Sequence, residues 1–92
     1  MLKPDLSIIV PIYNEKEGLD ETIRELARLL DADNNFEFIL VNDGSDDGTE
    51  QILNQLPRDR FTVLNHARNQ GYGRAIKTGI EASSSDYLAI TD

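Results

Sequence analysis

The sequence predicts an α/β domain built from four strands and three helices in the order βαβαβαβ. Two observations lead to this prediction. Short apolar runs, typical of strands buried on both faces of a sheet, alternate with segments whose apolar residues recur at helical spacing. Glycine, proline and short polar residues separate these segments. Such alternation favours a parallel sheet with right-handed crossovers. Its commonest winding gives the strand order 3-2-1-4, which is half of a three-layer, Rossmann-like domain.

The first strand and helix are predicted in the first third of the chain. Leu6–Ile12 is an apolar run in which Pro11 marks the end of the strand, because proline cannot donate to a central ladder. The helix that follows is strongly amphipathic and ends in the polar stretch 31–35. Its inward face is predicted to consist of Leu19, Ile23, Leu26, Ala27 and Leu30.

A second buried strand is predicted at Glu37–Val41, and an acidic turn follows it directly. Asp47 and Glu50 have the spacing of a helix N-cap and its capping partner. A second helix is therefore expected to begin there and to continue through Leu56. In open α/β sheets, ligands bind beyond the carboxyl ends of the strands, and Asp43 falls at that point. Asp43 is therefore predicted to contact a ligand.

The remaining elements are shorter. Phe61–Leu64 is predicted to be the third strand, and the stretch 69–73 is a glycine-hinged turn into a third helix. Between them lies His66, the only histidine, which is predicted to be a turn residue and not a catalyst. The third helix is expected to face inward with Ala75, Ile76, Gly79 and Ile80. Three serines at 83–85 end it, and Tyr87–Ile90 is predicted to be the fourth strand.

Composition excludes several classes of function. The net charge is -8 and the pI is near 4.4, so the chain has no general basic face and nucleic acid is not expected as a partner. The absence of cysteine excludes disulfides and thiolate metal sites. Neither a signal peptide nor an apolar run of membrane-spanning length is visible. A cytoplasmic location is expected, at the inner face of a membrane in a longer parent protein.

Two ligand-binding motifs are approximated but not matched. Residues 43–48 resemble the first half of an EF-hand calcium loop, but the twelfth position is Asn54 and a buried strand precedes the loop. Gly71 and Gly73 suggest a dinucleotide fingerprint, yet Ile76 stands in place of the third glycine and the turn follows the third strand. A receiver-like signalling domain is disfavoured, because receivers need acidic residues after the first strand.

For several charged residues beside these turns, the sequence allows two different roles. Asp46 and Asp47 are either turn and cap residues or ligand contacts. Arg68, Arg74 and Lys77 cluster around the glycine-hinged turn. All three are solvated side chains, or one of them contacts a phosphate group.

The predicted topology brings three strand ends to one crevice. In the order 3-2-1-4, the switch point lies between strands 1 and 4, where Pro11–Glu15 and Asp92 would meet, with Asp43 one strand away. Tyr13 and Glu15 form either a helix-entry turn or an aromatic ring and a carboxylate that suit the base and ribose of a nucleoside. Asp92 is either a polar strand end or a ligand of a hard divalent cation that also binds a diphosphate.

Four motifs occur together along the chain: VPIYNE at 10–15, VNDGSDDGT at 41–49, NQGYG at 69–73 and DYLAITD at 86–92. In order and spacing they resemble the family 2 glycosyltransferases, and the resemblance runs from residue 6 to residue 92. The pattern is most similar to the branch that includes the dolichol- and polyprenyl-phosphate mannosyl- and glucosyltransferases. The resemblance implies the N-terminal, nucleotide-sugar-binding half of a GT-A fold.

The resemblance also implies roles for individual residues. Those that match nucleotide-binding positions of the family are Pro11, Tyr13, Glu15, Val41, Asp43 and Thr91. Asp92 matches the first carboxylate of the family's Asp-X-Asp motif, which binds Mg²⁺ or Mn²⁺. Asn42 departs from the pattern, because the family often has an aspartate there.

The implied reaction is transfer of a hexose from a UDP- or GDP-sugar to an acceptor oxygen, with inversion at the anomeric carbon. The branch suggests a polyprenyl phosphate as the acceptor. A divalent cation would neutralise the charge on the leaving nucleotide diphosphate. Residues 1–92 are expected to be the nucleotide-sugar-binding part of a domain truncated at the metal motif. Such a fragment would hold no catalytic residue and be inactive alone.

A second hypothesis assigns the chain a structural role. Tyr87–Ile90 would be an apolar strand at the open edge of a sheet, and such an edge invites pairing with another chain. Self-association through this strand is therefore predicted. Under the structural hypothesis, the chain is a truncated or engineered half-domain that self-assembles, has no catalytic activity and binds no ligand.

Overall fold

The computed structural model describes residues 3–32 and 35–91. Within these ranges it contains β1 (Leu6–Ile12), α1 (Lys16–Ala32), β2 (Phe36–Asn42), α2 (Thr49–Leu53), β3 (Phe61–Asn65), α3 (Tyr72–Ala82) and β4 (Leu88–Ile90). The strands pair in parallel in the order β3-β2-β1-β4. The predicted α/β class, element order and strand order are confirmed. No helix within the described ranges is long and apolar enough to cross a membrane.

One face of the sheet holds the larger core. Because side chains alternate along a strand, Val10 and Ile12 of β1 point to the same side as Phe38 and Leu40 of β2. The buried residues packed there, with those of α1 and α2, are Val10, Ile12, Leu19, Leu26, Leu30, Phe38, Leu40, Leu53, Phe61 and Val63. The predicted inward face of α1 is therefore confirmed.

The opposite face of the sheet is covered by α3, which makes the domain three-layered. Its smaller core consists of Ile9, Ile39, Val41 and Ala75. Gly79 lies where α3 approaches β1: a Cβ atom added there would stand 2.5 Å from Cγ2 of Ile9. The missing side chain of Gly79 therefore allows the close packing of this helix on the sheet.

The prediction that Ile80 faces inward is wrong. The stripe of α3 that contacts the sheet is centred on Ala75 and Gly79, which are fully or nearly buried, whereas Ile80 is exposed. Small residues bring the helix axis close to the strands, so the contact stripe is narrow. The side chain of Ile80 lies beside this stripe.

The second helix is shorter than predicted. It ends at Leu53, because the N–H groups of Gln55 and Leu56 donate three residues back, to the carbonyls of Ile52 and Leu53, at 3.2 and 3.1 Å. This tighter turn leads into Pro57, which cannot continue a helix.

A polar cluster joins the amino-terminal ends of β1 and β2 to the turn before β4. The hydroxyl of Ser7, fully buried on β1, donates to Oε2 of Glu37 at 2.6 Å and lies 2.8 Å from Oγ of Ser85. The same Glu37 oxygen accepts from the backbone N–H and from the hydroxyl of Ser84, each at 3.2 Å. This cluster fixes the entry of the chain into β4.

Strand β4 pairs with only the first half of β1. Its partners run from Ser7 to Ile9, whereas β1 continues to Ile12. The side chains of Leu88 and Ile90 are exposed on this short edge strand. In the described part of the chain, residues 10–12 of β1 therefore have no strand beside them on that side.

Gly79→Ala is expected to destabilise the fold by about 1–2 kcal/mol. The new methyl group would overlap Ile9, and overpacking of this kind costs more than the gain in helix propensity returns. Chemical denaturation of the variant measures the change.

Gly73→Ala is the matched control, because it makes the same substitution in the same helix where a Cβ would meet nothing within 4 Å. It should be neutral or stabilising by up to about 1 kcal/mol. Equal destabilisation by both substitutions would contradict the close packing of α3 on β1.

Candidate functional site

A cleft of about 330 Å³ lies at the carboxyl ends of β1 and β2, on the face of the sheet that α3 covers. It is lined by Pro11, Ile12, Tyr13, Glu15, Asp43, Asn69, Gly71, Tyr72 and Ala75. The rings of Tyr13 and Tyr72 are well exposed, with 46% and 58% of each residue accessible to solvent. The volume and the mixture of aromatic and polar groups are typical of a small-molecule site.

Asp43 is the buried carboxylate of this cleft, with 4% of the residue exposed. Its Oδ1 accepts from Nδ1 of His66 at 2.7 Å and from the backbone N–H of Gln70 at 2.9 Å. Its Oδ2 accepts from the backbone N–H of Gly71 at 2.9 Å and from Nδ2 of Asn69 at 3.1 Å. A carboxylate offers about four acceptor positions, so these four donors occupy them all.

These contacts keep the carboxyl group of Asp43 ionised. Burial by itself raises the pKa of Asp43, but the hydrogen bonds from His66 and from the amides of Gln70 and Gly71 outweigh burial. The result is a pKa below the ordinary value of 3.8. The cleft therefore presents a fixed negative charge at neutral pH.

The turn after β2 packs directly on the turn before α3. Gly44 adopts a φ of +72°, and a Cβ added to it would stand 2.2 Å from the carbonyl carbon of Arg68 and from the backbone nitrogen of Asn69. Only glycine satisfies both the left-handed conformation and this contact between two backbones. This close approach brings the amides of the 69–71 segment within reach of Asp43.

Hydrogen bonds between side chains and backbone groups join the turn after β1 to residues 45–49. The N–H of Asn14 donates to Oγ of Ser45, and Oδ1 of Asn14 accepts from the N–H of Asp46, both at 2.9 Å. The N–H of Glu15 donates to Oγ1 of Thr49 at 3.2 Å. Tyr13 and Glu15, which line the cleft, are therefore positioned by residues 45–49.

Asp47 binds the N-termini of two helices, which corrects the prediction that it is the N-cap of α2. The residue directly before α2 is Gly48, while Oδ1 of Asp47 accepts from the N–H and the hydroxyl of Thr49 at 3.0 and 2.5 Å. Its Oδ2 accepts from the N–H of Lys16, the first residue of α1, at 3.2 Å. The hydrogen bond from the Thr49 hydroxyl contributes most to a pKa of Asp47 below its ordinary value.

Asn42, where the resembling family often has an aspartate, has a structural role that needs an amide. Its Nδ2 donates to Oδ1 of Asn65 at 2.9 Å, and its Oδ1 accepts from the N–H of Ser45 at 3.2 Å. A carboxylate could accept but not donate. The amide therefore ties the end of β2 both to β3 and to the turn that follows.

The structure brings most of the predicted site residues together. Pro11, Tyr13, Glu15 and Asp43 line one cleft, although nucleotide binding by them stays a prediction. Val41 is fully buried in the smaller core and offers no surface to a ligand, because it points under α3. Its assignment as a ligand contact therefore finds no support in this structure.

The fourth strand contributes less to the cleft than the sequence predicts. Thr91 donates its N–H to the carbonyl of Ile9 at 3.0 Å, which places it three residues short of the end of β1, and it is not among the lining residues. Asp92, the predicted metal ligand, lies outside the described residues. Among the residues that are described, no cluster of three or more His, Asp or Glu side chains could hold a metal ion.

The cleft contains residues that the sequence did not reveal as site residues. Asn69, Tyr72 and Ala75 come from the turn before α3 and from the helix itself. The sequence predicts only a glycine-hinged turn here, and two signals could have indicated a ligand site: the location of the turn after a strand and its motif at 69–73. His66 is a turn residue, as predicted, but it also binds Asp43.

Residues 7–92 match the sequence profile described as Glycosyl transferase family 2. The chain belongs to this family. The match covers all four motifs on which the resemblance was based, so that inference is confirmed.

Curated relatives have the same family character. Glycosyltransferase AglE of Haloferax volcanii is 34% identical over 91 residues, which cover 97% of this chain and 30% of that protein. Undecaprenyl-phosphate 4-deoxy-4-formamido-L-arabinose transferase of Pseudomonas savastanoi pv. phaseolicola is 34% identical over 91 residues, or 95% of this chain and 27% of that protein. The chain therefore spans less than a third of the length of these relatives.

Solved structures of GT-A glycosyltransferases share the fold. The 1–349 segment of S. aureus TarS in complex with UDP has a TM-score of 0.82 at 25% identity, over 96% of this chain and 27% of that one. Mannosyltransferase PcManGT from Pyrobaculum calidifontis, in complex with GDP-Man and Mn²⁺, has a TM-score of 0.77 at 22% identity, over 91% of this chain and 26% of that one. The predicted GT-A fold is confirmed.

Asp43→Asn is expected to destabilise the domain by about 3 kcal/mol at neutral pH. The amide loses the charge that strengthens four hydrogen bonds, and its NH₂ group faces donors where an acceptor stood. Because the pKa of Asp43 is lowered in the folded state, its stabilisation is complete above pH 3.8 and is lost as the pH falls through the folded pKa. Urea denaturation between pH 2 and pH 7 measures both effects.

Asp46→Asn is the matched control, because Asp46 is exposed and contributes only its backbone N–H to the contacts of the turn. Its stability should stay within about 0.5 kcal/mol of the wild type. If Asp43→Asn were equally stable, the four hydrogen bonds would not stabilise the fold in the way described.

Proposed function

We propose that this chain is the part of a glycosyltransferase domain that binds the nucleotide of a sugar donor. The observation that supports this most strongly is the cleft: aromatic and acidic residues from three family motifs meet at the carboxyl ends of β1 and β2. Ligands of open α/β sheets bind at this position. The relatives named as glycosyltransferases and the UDP complex of S. aureus TarS point to the same class of ligand.

The proposed binding mode uses the chemistry of the lining residues. Tyr13 and Tyr72 offer exposed aromatic faces on which a nucleobase can stack. The carboxylate of Glu15 can accept hydrogen bonds from ribose hydroxyls. Glu15 and Asp43 repel phosphate groups, so the nucleoside enters the acidic end of the cleft and the diphosphate points away from it.

Contact between Asp43 and the base requires the exchange of a donor. The carboxylate already accepts four hydrogen bonds, three of them from the backbone or from the ring of His66. The fourth comes from Asn69, an exposed side chain on the wall of the cleft. An N–H group of the base would take the place of the Asn69 amide at Oδ2.

The reaction proposed for a longer parent protein is transfer of a hexose from a UDP- or GDP-sugar, with inversion, to an acceptor such as a polyprenyl phosphate. The name of the Pseudomonas relative supports this acceptor class. Mg²⁺ or Mn²⁺ is the proposed cofactor, with Asp92 as a ligand. Asp92 lies outside the described residues, among which no cluster of three or more His, Asp or Glu side chains could hold a metal ion. Residues 1–92 would then bind the donor without completing the reaction.

UDP or GDP is expected to bind the chain and to shift the NMR signals of Tyr13 and Tyr72. Tyr13→Ala should weaken this binding roughly tenfold, since it removes one stacking surface worth about 1–1.5 kcal/mol. Titration of the isotope-labelled chain with each nucleotide, with and without Mn²⁺, measures both results.

Tyr87→Ala is the control, because Tyr87 is also an exposed tyrosine, at 72%, but lies outside the cleft. It should leave the affinity unchanged. An absence of shifts around the cleft with both nucleotides, with or without the cation, would contradict donor binding by this chain.

The alternative function, a half-domain that self-assembles, is favoured by one observation. Leu88 and Ile90 expose apolar side chains on an edge strand of three residues, with Tyr87 beside them. Exposed apolar edges of this kind pair with other chains. The net charge of -8 opposes association, so self-assembly would strengthen as salt is added.

Under this alternative, sedimentation should show a concentration-dependent dimer that Leu88→Ser and Ile90→Ser weaken. Leu29→Ser is the control, because Leu29 is also an exposed apolar residue but belongs to α1 and not to β4. A monomer at millimolar concentration and high salt would rule out assembly through β4.

A further inference from the structure

We propose that His66 is a positioning residue for nucleotide binding, and that it holds the Asp43 carboxylate in the orientation in which it faces the cleft. This proposal rests on the proposed function. His66 does not line the cleft itself, so it acts through Asp43. Its expected contribution is to the affinity for a nucleoside diphosphate.

The imidazole of His66 is fixed at both ends. The residue directly follows β3, and its backbone N–H donates to the carbonyl of Asn42 at 2.9 Å. Only 9% of the side chain is exposed. Nδ1 lies 2.7 Å from Oδ1 of Asp43, and Nε2 lies 2.8 Å from Oγ1 of Thr78 on α3. Neither ring nitrogen is left for a ligand.

The contact with Asp43 decides which nitrogen of the ring carries a proton. An ionised carboxylate can only accept, so Nδ1 of His66 must donate. In the neutral ring Nε2 is then an acceptor, and the hydroxyl of Thr78 donates to it. Thr78 therefore supports the tautomer in which Nδ1 faces Asp43 with its proton.

Among the four donors to Asp43, His66 is the one that also bonds to a side chain in the middle of α3. The amides of Gln70 and Gly71 belong to the turn before α3, and the Asn69 side chain is exposed. His66 is only slightly exposed and joins the carboxylate to the middle of α3 through Thr78. The same helix carries Tyr72 and Ala75 of the cleft wall. His66 thus fixes the distance between the acidic and aromatic walls of the cleft.

A purely structural histidine would make a different prediction. If His66 only filled space and satisfied polar groups, substitutions of equal stability would have equal affinity for nucleotide. If it positions Asp43, variants that keep a hydrogen-bond donor at the location of Nδ1 should keep their affinity for nucleotide, and variants that lose this donor should bind more weakly. Two amide substitutions separate these cases, because the shorter one places its NH₂ group near Nδ1 and the longer one near Nε2.

The test compares His66→Asn with His66→Gln in the 92-residue chain. We expect the dissociation constant for UDP or GDP, whichever binds the wild type more tightly, to rise about tenfold in His66→Gln. In His66→Asn it should rise by no more than about threefold, because the hydrogen bond to Asp43 is restored. Thermal unfolding of both variants checks that they are folded to the same degree under the assay conditions. Should one of them fail to fold, Thr78→Ser and Thr78→Val repeat the comparison at the other end of the ring.

A spectroscopic measurement tests the contact independently of any ligand. His66 is the only histidine, so the ring ¹⁵N signals of the labelled chain need no assignment. Spectra of the neutral ring should show its proton on Nδ1. Thr78→Val should increase the fraction of neutral rings that carry the proton on Nε2, because valine has no hydroxyl group to donate to Nε2.

The outcomes separate this proposal from the proposed function. If the wild type binds neither nucleotide, donor binding fails and the positioning role falls with it, whichever tautomer is seen. If the wild type binds and His66→Asn and His66→Gln lose affinity equally, the positioning role is overturned while donor binding stands. A neutral ring protonated on Nε2 in the wild type would also overturn it.

Discussion

The carboxylate of Asp43 is almost completely removed from water, yet it stays ionised because four donors surround it. Those donors come from the end of β3 and from the turn before α3. The same residue follows β2, and its N–H binds the carbonyl of Ile12 at the end of β1. Through its buried charge and its backbone N–H, Asp43 therefore holds together the ends of three strands and the start of a helix. An unpaired charge at this depth would cost several kcal/mol, so these segments are not independent of one another.

The cleft is a consequence of this arrangement. Because β4 stops opposite Ile9, the last residues of β1 are open on one side among the described residues, and the chain after them turns back over the sheet. The turn is fixed by Ser45, Asp47 and Thr49, while the far wall is fixed by the hydrogen bonds of Asp43. Both walls are thus preformed, which suits the recognition of a rigid nucleoside at a low entropic cost.

The fold followed from local patterns. Residues 8–12 and 38–41 are apolar without interruption, and such runs identify buried parallel strands before any contact is known. The location of Asp43 at a strand end followed from the same argument. Its partners did not, because His66 and Gly71 lie 23 and 28 residues further along the chain. No local rule shows which distant groups will meet a given carboxylate.

Local rules also gave two wrong predictions, for Asp47 and for Ile80, because they do not include the spacing between elements. The capping rule assigned Asp47 to the helix that follows it, whereas the structure shares it with α1, whose first N–H group is 31 residues earlier. Ile80 had the right spacing to face the sheet, but the small residues of α3 narrow the contact stripe. In both cases the outcome depends on the distance between elements, which the sequence pattern does not contain.

The contact between Gly44 and the backbone at Arg68 and Asn69 restricts how this region can vary in evolution. Two turns that touch through their main chains cannot change length separately, since an inserted residue in either one would push the other away from Asp43. Surface loops usually tolerate insertions, but these two do not have that freedom. Diversity in this half of the domain should therefore accumulate elsewhere, for example in the polar segment between α1 and β2. Homologues that differ in ligand preference would differ by substitution around the cleft, with its two turns kept at constant length.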